Sequence, residues 1–407
     1  MENTTGMETS VKTIVPKTVL PGATIGVLGG GQLGRMLALK GREMGYRFAT
    51  LDPTPDSPCG QVCDRQITAS YSDEAAAREL ADAADVITYE FENVNAAVAA
   101  VLERESHVPQ GSALLRTTQH RLREKRAIES AGAQVAPYRE IASLGELREA
   151  IKALGVPCVL KTATGGYDGK GQFVIRRAAD AAEAFAALGG GALELVLEQY
   201  LAFERELSVV AARGADGEIR TFPPAHNVHV GGILHTSTAA PGLFPAEVEA
   251  RARKLAADIA ATLGVVGLIA VEMFLMPDGE LYVNELAPRP HNSGHYTMDA
   301  CSVSQFELHL RAVCGLPLPE PKLLTPVVMV NVLGEHVEPL LHWFERGGER
   351  ELPDGVTARL HLYGKAEAKR GRKMGHVNLL TDDPARALGW IETCGIWTQN
   401  ERRSGER

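Results

Sequence analysis

The sequence predicts a chain of mixed α/β and α+β class. A doubly wound domain comes first, a larger nucleotide-binding domain second and a small mixed domain last. Three stretches carry that reading. Residues 24–52 spell strand, glycine turn, helix and strand; residues 156–175 spell a glycine-rich flap between strands; residues 270–285 spell a hairpin.

With 407 residues the chain is long enough for two or three domains with full cores. No apolar run approaches the ~18 residues a membrane span needs. A net charge of −9 argues against a nucleic-acid partner, so any phosphate must be gripped locally by a few lysines and arginines. The six cysteines are sparse and scattered, as in a reducing cytoplasm. Cys59 and Cys63 form one close pair, but no second Cys or His pair completes a zinc motif. Residues 1–21 are polar, lack a signal peptide's apolar core and read as a loose leader.

The first domain spans 22–113. A strand at 24–28 runs into Gly29-Gly30-Gly31-Gln32-Leu33-Gly34, a G-x-G-x-x-G turn, and residues 35–45 have helical character ending at Gly45. A second strand, 47–51, ends at Asp52, near the ribose position of a dinucleotide site, so a nicotinamide or flavin oxidoreductase stays open. The turn alone is weak evidence, because any helix N-terminus after glycines can hold a phosphate. A strand at 85–89 delivers Glu90-Phe91-Glu92-Asn93 to the carboxyl edge of the sheet, where Glu90 faces either a ligand or solvent.

The second domain spans 114–315. Its first helix, from His120 to about Ser130, is strongly charged, and most of those charges read as a solvated face. An amphipathic helix at 142–154 precedes a buried strand ending at Lys161. The flap follows, with glycines at 165, 166, 169 and 171 around Tyr167, Asp168 and Lys170, and a strand resumes at 172–175. Glycine lets backbone N–H groups approach an anion, and the two lysines supply point charges for phosphate oxygens. A Walker A loop is excluded, since that needs Gly-Lys-Ser/Thr opening a helix. The strand at 193–200 can offer backbone groups to an adenine edge while Glu198 takes a hydroxyl or amine. Another strand follows at 204–210, with Glu204 and Glu206 at its mouth.

The hairpin gives the sharpest expectation. Asp278-Gly279 between apolar runs predicts a two-residue type I′ turn with Pro277 opposite Glu280. Counting inward, Phe274 faces Val283 and Glu272 faces Glu285. Opposed like charges destabilise a bare sheet, and a divalent cation between them reverses that sign. Magnesium suits two carboxylates plus nucleotide phosphates; the alternative is an exposed edge pair. The same register turns Asn284 away from Glu285, so a role for Asn284 needs a bulge. Residues 286–296 then crowd Arg289, His291, Asn292, Ser293, His295 and Tyr296 between prolines, which reads as a ligand loop. Ser304 and Glu307 form a capping box for a helix through Ala312.

The third segment spans 316–400. A proline-rich linker leads to strands at 325–333 and 358–363, a small mixed cap. Residues 365–373 are the most basic run, either a solvated turn or a second phosphate grip.

Lys161, the flap, Glu198 and the carboxylates before Arg-Pro-His-Asn-Ser resemble the ATP-grasp superfamily of carboxylate–amine ligases. The match extends to Gly-Gly-Gly-Gln-Leu-Gly-Arg-Met at 29–36, Thr-Gly-Gly-Tyr-Asp-Gly-Lys-Gly-Gln at 164–172, Asn-Glu-Leu-Ala-Pro-Arg-Pro-His-Asn-Ser-Gly-His at 284–295 and Gly-Arg-Lys-Met-Gly-His at 371–376. Over roughly 22–395 the chain is similar to the 5-(carboxyamino)imidazole ribonucleotide synthase family of purine biosynthesis. The resemblance implies an ATP-grasp fold with a Rossmann-like pre-ATP-grasp domain. It also implies ATP-dependent carboxylation of 5-aminoimidazole ribonucleotide by bicarbonate through carboxyphosphate, with magnesium or manganese as the metal. A cytoplasmic homodimer is the expected assembly, its dimer face being an apolar surface on the first or last domain. ATP contacts fall to Arg121, Lys161, Gly166, Tyr167, Asp168, Gly169, Lys170, Gly171, Gln172, Glu198, Gln199, Tyr200, Leu201, Glu206, His229, Asn284 and Glu285. Metal ligation falls to Glu272 and Glu285. The ribonucleotide takes Gln32, Leu33, Glu90, Tyr167, Asp168, Arg289, His291, Asn292, Ser293, Lys365 and Arg372. Asp168, Arg289 and Lys365 are the expected catalytic set, with Arg289 on bicarbonate and Asp168 on the amine proton. A formate-dependent glycinamide ribonucleotide transformylase shares the ATP and metal residues and is the nearest alternative.

Overall fold

The computed structural model describes residues 17–166 and 170–397. Its first sheet is parallel, in the order Arg65–Thr68, Arg47–Asp52, Thr24–Leu28 and Val86–Tyr89. Helix Gln32–Glu43 starts earlier than the apolar pattern suggests, because Leu33 already belongs to its buried face. Gly45, at φ +89, turns the chain out of that helix in the left-handed region. Residues 17–21 correct the expected loose leader. Val19 is buried, its N–H donates to Cys314 O, and its carbonyl accepts from the Tyr46 hydroxyl. Residues 1–16 lie outside the described residues.

A ten-stranded sheet forms the body. Its centre is Arg205–Arg213 beside Gly267–Leu275, followed by Leu281–Ala287. Helix Ala246–Thr262 covers one face through Val248, Ala252, Ala256 and Ile259. Helix Gln305–Val313 covers the other through Leu308 and Ala312. Strand Gly267–Leu275 is therefore nearly all buried, as in a sheet packed on both sides, until Glu272 and Phe274 reach a partly open face. Phe306, Leu310 and Val313 of the second helix also enter the core of the first domain and join the two units. Ser304 caps that helix by accepting from Glu307 N at 3.2 Å. The Glu307 carboxylate turns to Arg311 instead, so only half of the capping box forms.

The small mixed C-terminal domain is present and joined to the body: Val327–Leu333 pairs with Ile233–Ala239 on one side and Lys373–Leu380 on the other, so its strands continue the central sheet. The linker before it is stitched down, with Leu318 buried and its N–H donating to Glu218.

A third sheet, in the order Tyr138–Ile141, Leu195–Gln199, Cys158–Thr162 and Gln172–Ile175, is antiparallel and backed by helices Leu144–Leu154 and Ala181–Ala187. It carries the flap.

Candidate active site

The hairpin that places the two carboxylates is not the predicted one. Pro277 has no N–H to give the ladder, so the closing bond moves outward: Met276 N donates to Glu280 O. The loop is Pro277-Asp278-Gly279, with Gly279 at φ +87. Phe274 accordingly faces Tyr282 rather than Val283. A bulge then slips the register back between Glu272 and Met273, doubling Asn284 and Glu285 against Glu272. Glu272 and Glu285 end as direct cross-strand partners, and Asn284 obtains the bulge that a role beside Glu285 requires.

Burial and the Glu285 charge push the Glu272 carboxyl up to about 8. His291 Nε2 lies 3.0 Å from Glu272 Oε1. Ser293 N donates to His291 Nδ1 at 3.4 Å, which puts the ring proton on Nε2, facing the carboxylate. Glu285 Oε2 lies 3.8 Å from Arg121 Nη1. Among the described residues no group of three or more His, Cys, Asp or Glu is arranged to hold a metal ion. Two opposed carboxylates that repel one another still fit a hard divalent cation whose remaining ligands are phosphate oxygens and water.

The nucleotide side is built from two elements. On the flap sheet Val159 pairs with Glu198, so Lys161, two residues on, shares the face of Glu198. Lys161 Nζ donates to Glu198 Oε2 at 2.8 Å. From helix Arg121–Ser130, Lys125 Nζ lies 3.1 Å from Glu198 Oε1, an ion pair off the hydrogen-bonding direction. Burial opposes ionisation of Glu198, but Lys161 and Lys125 outweigh it and hold its carboxyl down to about 2. Burial also lowers Lys125, with Lys161 adding to that and Glu198 resisting it. Glu124 on the same helix accepts from Leu286 N at 2.8 Å, just beyond Glu285, and burial with the Glu285 charge raises it to about 8. This helix is therefore no solvated face at Glu124 and Lys125, whose exposures are 4% and 2%. Glu206 Oε2 and His229 Nδ1 pair at 2.7 Å. Gln199 and Tyr200 leave their strand exposed, with Leu201 half-buried behind them. Gly171 O accepts from Thr162 N, fixing the flap's return beside Lys170 and Gln172.

In the first domain Glu90 neither faces solvent nor stands free. Its carboxylate accepts from Gly31 N and, at 2.5 Å, from Gly34 N, so it sits on the N-terminus of helix Gln32–Glu43. A Cβ on Gly31 would lie 2.5 Å from Glu90 Oε1, which explains the glycine. Burial raises this carboxyl to about 7 against the pull of those N–H groups. Asp52 Oδ2 likewise accepts from Gly30 N at 2.8 Å and from the Tyr71 hydroxyl. The donors that a dinucleotide's phosphates would use are thus already taken by carboxylates, which weighs against the oxidoreductase reading. Gln32 is half-buried, while the Leu33 side chain is core and leaves only its backbone for a ligand.

Arg289 forms a two-pronged pair with Glu92, Nε to Oε2 and Nη2 to Oε1 at 3.0 Å, and Nη1 donates to Pro290 O. The edge expected for bicarbonate is therefore occupied, and of five N–H donors one remains on each terminal nitrogen. Burial opposes ionisation of Glu92, and Arg289 overcomes it to keep that carboxyl low. Asn292 is buried with both amide atoms lacking a partner among the described residues. Ser293 is held by Ser208 Oγ at 2.7 Å. Lys365 Nζ donates to Lys373 O at 2.7 Å, and Arg372, exposed, donates to Glu367 O. Gln61 Nε2 donates to Gly364 O at 2.9 Å, bringing the basic loop against the first domain. Tyr167, Asp168 and Gly169 lie outside the described residues.

Family models match in three consecutive pieces: a ribonucleotide synthetase preATP-grasp domain at residues 22–119, an ATP-grasp domain at 126–306 and a phosphoribosylaminoimidazole carboxylase C-terminal domain at 327–388. An N5-carboxyaminoimidazole ribonucleotide synthase of Bacillus subtilis (strain 168) is 50% identical over 367 residues, 89% of this chain and 92% of that protein. One from Staphylococcus aureus (strain COL) is 41% identical over 365 residues, 89% and 94% of the respective chains. Among solved structures, an ADP complex of an N5-carboxyaminoimidazole ribonucleotide synthetase superposes with a TM-score of 0.90 at 52% identity, covering 95% of this chain and 100% of that one. An Aspergillus clavatus N5-carboxyaminoimidazole synthase, in complex with ADP and 5-aminoimidazole ribonucleotide, gives 0.83 at 32% identity over 91% and 96%.

Proposed function

The chain belongs to the N5-carboxyaminoimidazole ribonucleotide synthase family of ATP-grasp ligases, and from that premise we propose how its residues divide the work. The reaction is the ATP-dependent carboxylation of 5-aminoimidazole ribonucleotide in purine biosynthesis. ATP and bicarbonate give carboxyphosphate and ADP. The ribonucleotide's exocyclic amine then attacks the carboxyl carbon, phosphate leaves and the amine gives up a proton.

The observation that carries the assignment of residues is the directly opposed Glu272–Glu285 pair with the Arg121 guanidinium 3.8 Å from Glu285. Magnesium or manganese, held by Glu272 and Glu285, supplies charge neutralisation at the transferring phosphoryl group. Lys161 and Arg121 bind phosphate oxygens, Gln199 to Leu201 meet the adenine edge, and Glu206 with His229 meets the ribose. Lys170, Gly171, Gln172 and Gly166 bring the flap backbone over the phosphates, and Asn284 sits beside them. On the ribonucleotide side Glu90 and the glycine turn with Gln32 and Leu33 meet the sugar. Lys365 and Arg372 take its phosphate, and His291, Asn292 and Ser293 line the ring. Arg289 offers bicarbonate its two remaining N–H groups. Tyr167 and Asp168 on the flap exclude water and order the amine, with Asp168 as its proton acceptor.

Six free cysteines support a cytoplasmic setting. ADP release is the test: it requires ATP, bicarbonate and 5-aminoimidazole ribonucleotide together. Turnover of glycinamide ribonucleotide with formate in place of bicarbonate would overturn the assignment.

A further inference from the structure

One ammonium group outside the family-matched ATP residues is built into the same cleft. Lys125 follows Arg121 by four positions, so both project from one face of helix Arg121–Ser130. Lys125 is 2% exposed and Glu198 5%. Each oxygen of that carboxylate meets its own cation, Lys161 at 2.8 Å and Lys125 at 3.1 Å. The Tyr138 ring, whose residue pairs with Glu198 across the sheet, lies 5.5 Å from the Lys125 ammonium and closes its other side.

Charge bookkeeping gives the arrangement a purpose. Two ammonium groups on one carboxylate leave a net positive charge in a buried cleft, whereas Lys161 and Glu198 alone would form a closed neutral pair. Drawing Lys161 out of such a pair toward a phosphate would strand a buried carboxylate without a cation, which is strongly unfavourable. With Lys125 in place, Glu198 keeps a partner whichever way Lys161 leans.

We propose that Lys125 is a positioning residue for the nucleotide, holding Glu198 from the side away from Lys161 so that the Lys161 ammonium is available to the ATP phosphates. The proposal rests on the reading of Lys161 as an ATP contact. Lys125 itself meets Glu198 and acts on the nucleotide only through it.

The test uses the full chain carrying Lys125→Met, close in length and without charge. ADP affinity is measured by calorimetric titration and the KM for each substrate by ADP release. ADP affinity and the KM for ATP weaken roughly 10- to 100-fold, while the KM for the ribonucleotide stays within about twofold. Lys125→Arg restores most of the affinity. In a Glu198→Gln background, where no carboxylate can capture Lys161, adding Lys125→Met costs far less than it does alone. Unchanged ADP affinity in Lys125→Met overturns the proposal. So does an equal loss for both substrates accompanied by a lower thermal midpoint, since that marks a merely structural role. Lys161→Met separates the two readings: if it binds ADP normally, the ATP assignment itself fails, whereas a defect there beside normal Lys125→Met binding sinks only the proposal.

Discussion

Glu272 stands opposite Glu285 because two one-residue departures from a simple hairpin cancel, a three-residue loop at 277–279 and the extra residue Asn284 in the facing strand. The pair lies where the strand reaches a partly open face, shared with Phe274, while Val271, Met273 and Leu275 are core. Two carboxylates so placed store repulsion that a cation can release.

The first consequence concerns pH. The Glu272 carboxyl is raised to about 8 in the fold, so between the ordinary carboxylate range and pH 8 the folded chain binds more protons than the unfolded one. Stability from this group is full in acid and is lost as the pH rises through about 8. In the presence of a chelator, Glu272→Gln therefore has a higher thermal midpoint than the parent at pH 8, and the gain shrinks toward pH 5. The same variant loses activity by about 100-fold or more, because the phosphoryl group loses its electrostatic support. Equal midpoints across that range would contradict the account.

Glu90 gives a second. Both oxygens accept backbone N–H groups, so Glu90→Gln must turn an amide NH₂ toward one of them. That leaves a buried donor unmet, at a cost of about 1–3 kcal/mol. Denaturant unfolding should show this loss. The KM for the ribonucleotide should rise while ADP affinity, set on another sheet, is unchanged.

Arg289 gives a third. Glu92→Ala removes the two-pronged partner of this guanidinium and leaves it only the charges of Glu285 and Glu272, so denaturant unfolding should show a loss of stability. Arg289→Lys keeps the charge but cannot reproduce the two-pronged geometry, and activity should fall at least about 10-fold. Saturation with bicarbonate, followed by ADP release, shows whether the loss appears in the bicarbonate KM, as expected if the two remaining N–H groups hold that anion.

What the sequence disclosed follows from how far each signal reaches along the chain. Lys161 near a strand end, Gly165, Gly166 and Gly171 of the flap, and Gly31 beside a helix are local patterns, and each stands where expected. Glu124, Lys125 and Glu92 were hidden because their meaning lies in distant partners. The Leu286 backbone is 162 residues from Glu124, and Arg289 is 197 from Glu92. A charged helix cannot announce that two of its charges are buried. Strand Lys373–Leu380 was hidden for the opposite reason: fully buried His376 and Asn378 break its apolar run, and a basic stretch precedes it. The turn was misread because the Asp-Gly signal outweighed the missing N–H of Pro277.

The central claim is that this cleft passes the γ-phosphoryl group of ATP to bicarbonate before the ribonucleotide amine attacks. Oxygen-18-labelled bicarbonate tests it most directly, with the released phosphate analysed by mass spectrometry. Carboxyphosphate chemistry places one labelled oxygen in each phosphate formed, only when 5-aminoimidazole ribonucleotide turns over, and Glu285→Gln abolishes the transfer. Phosphate free of label during full turnover would contradict it.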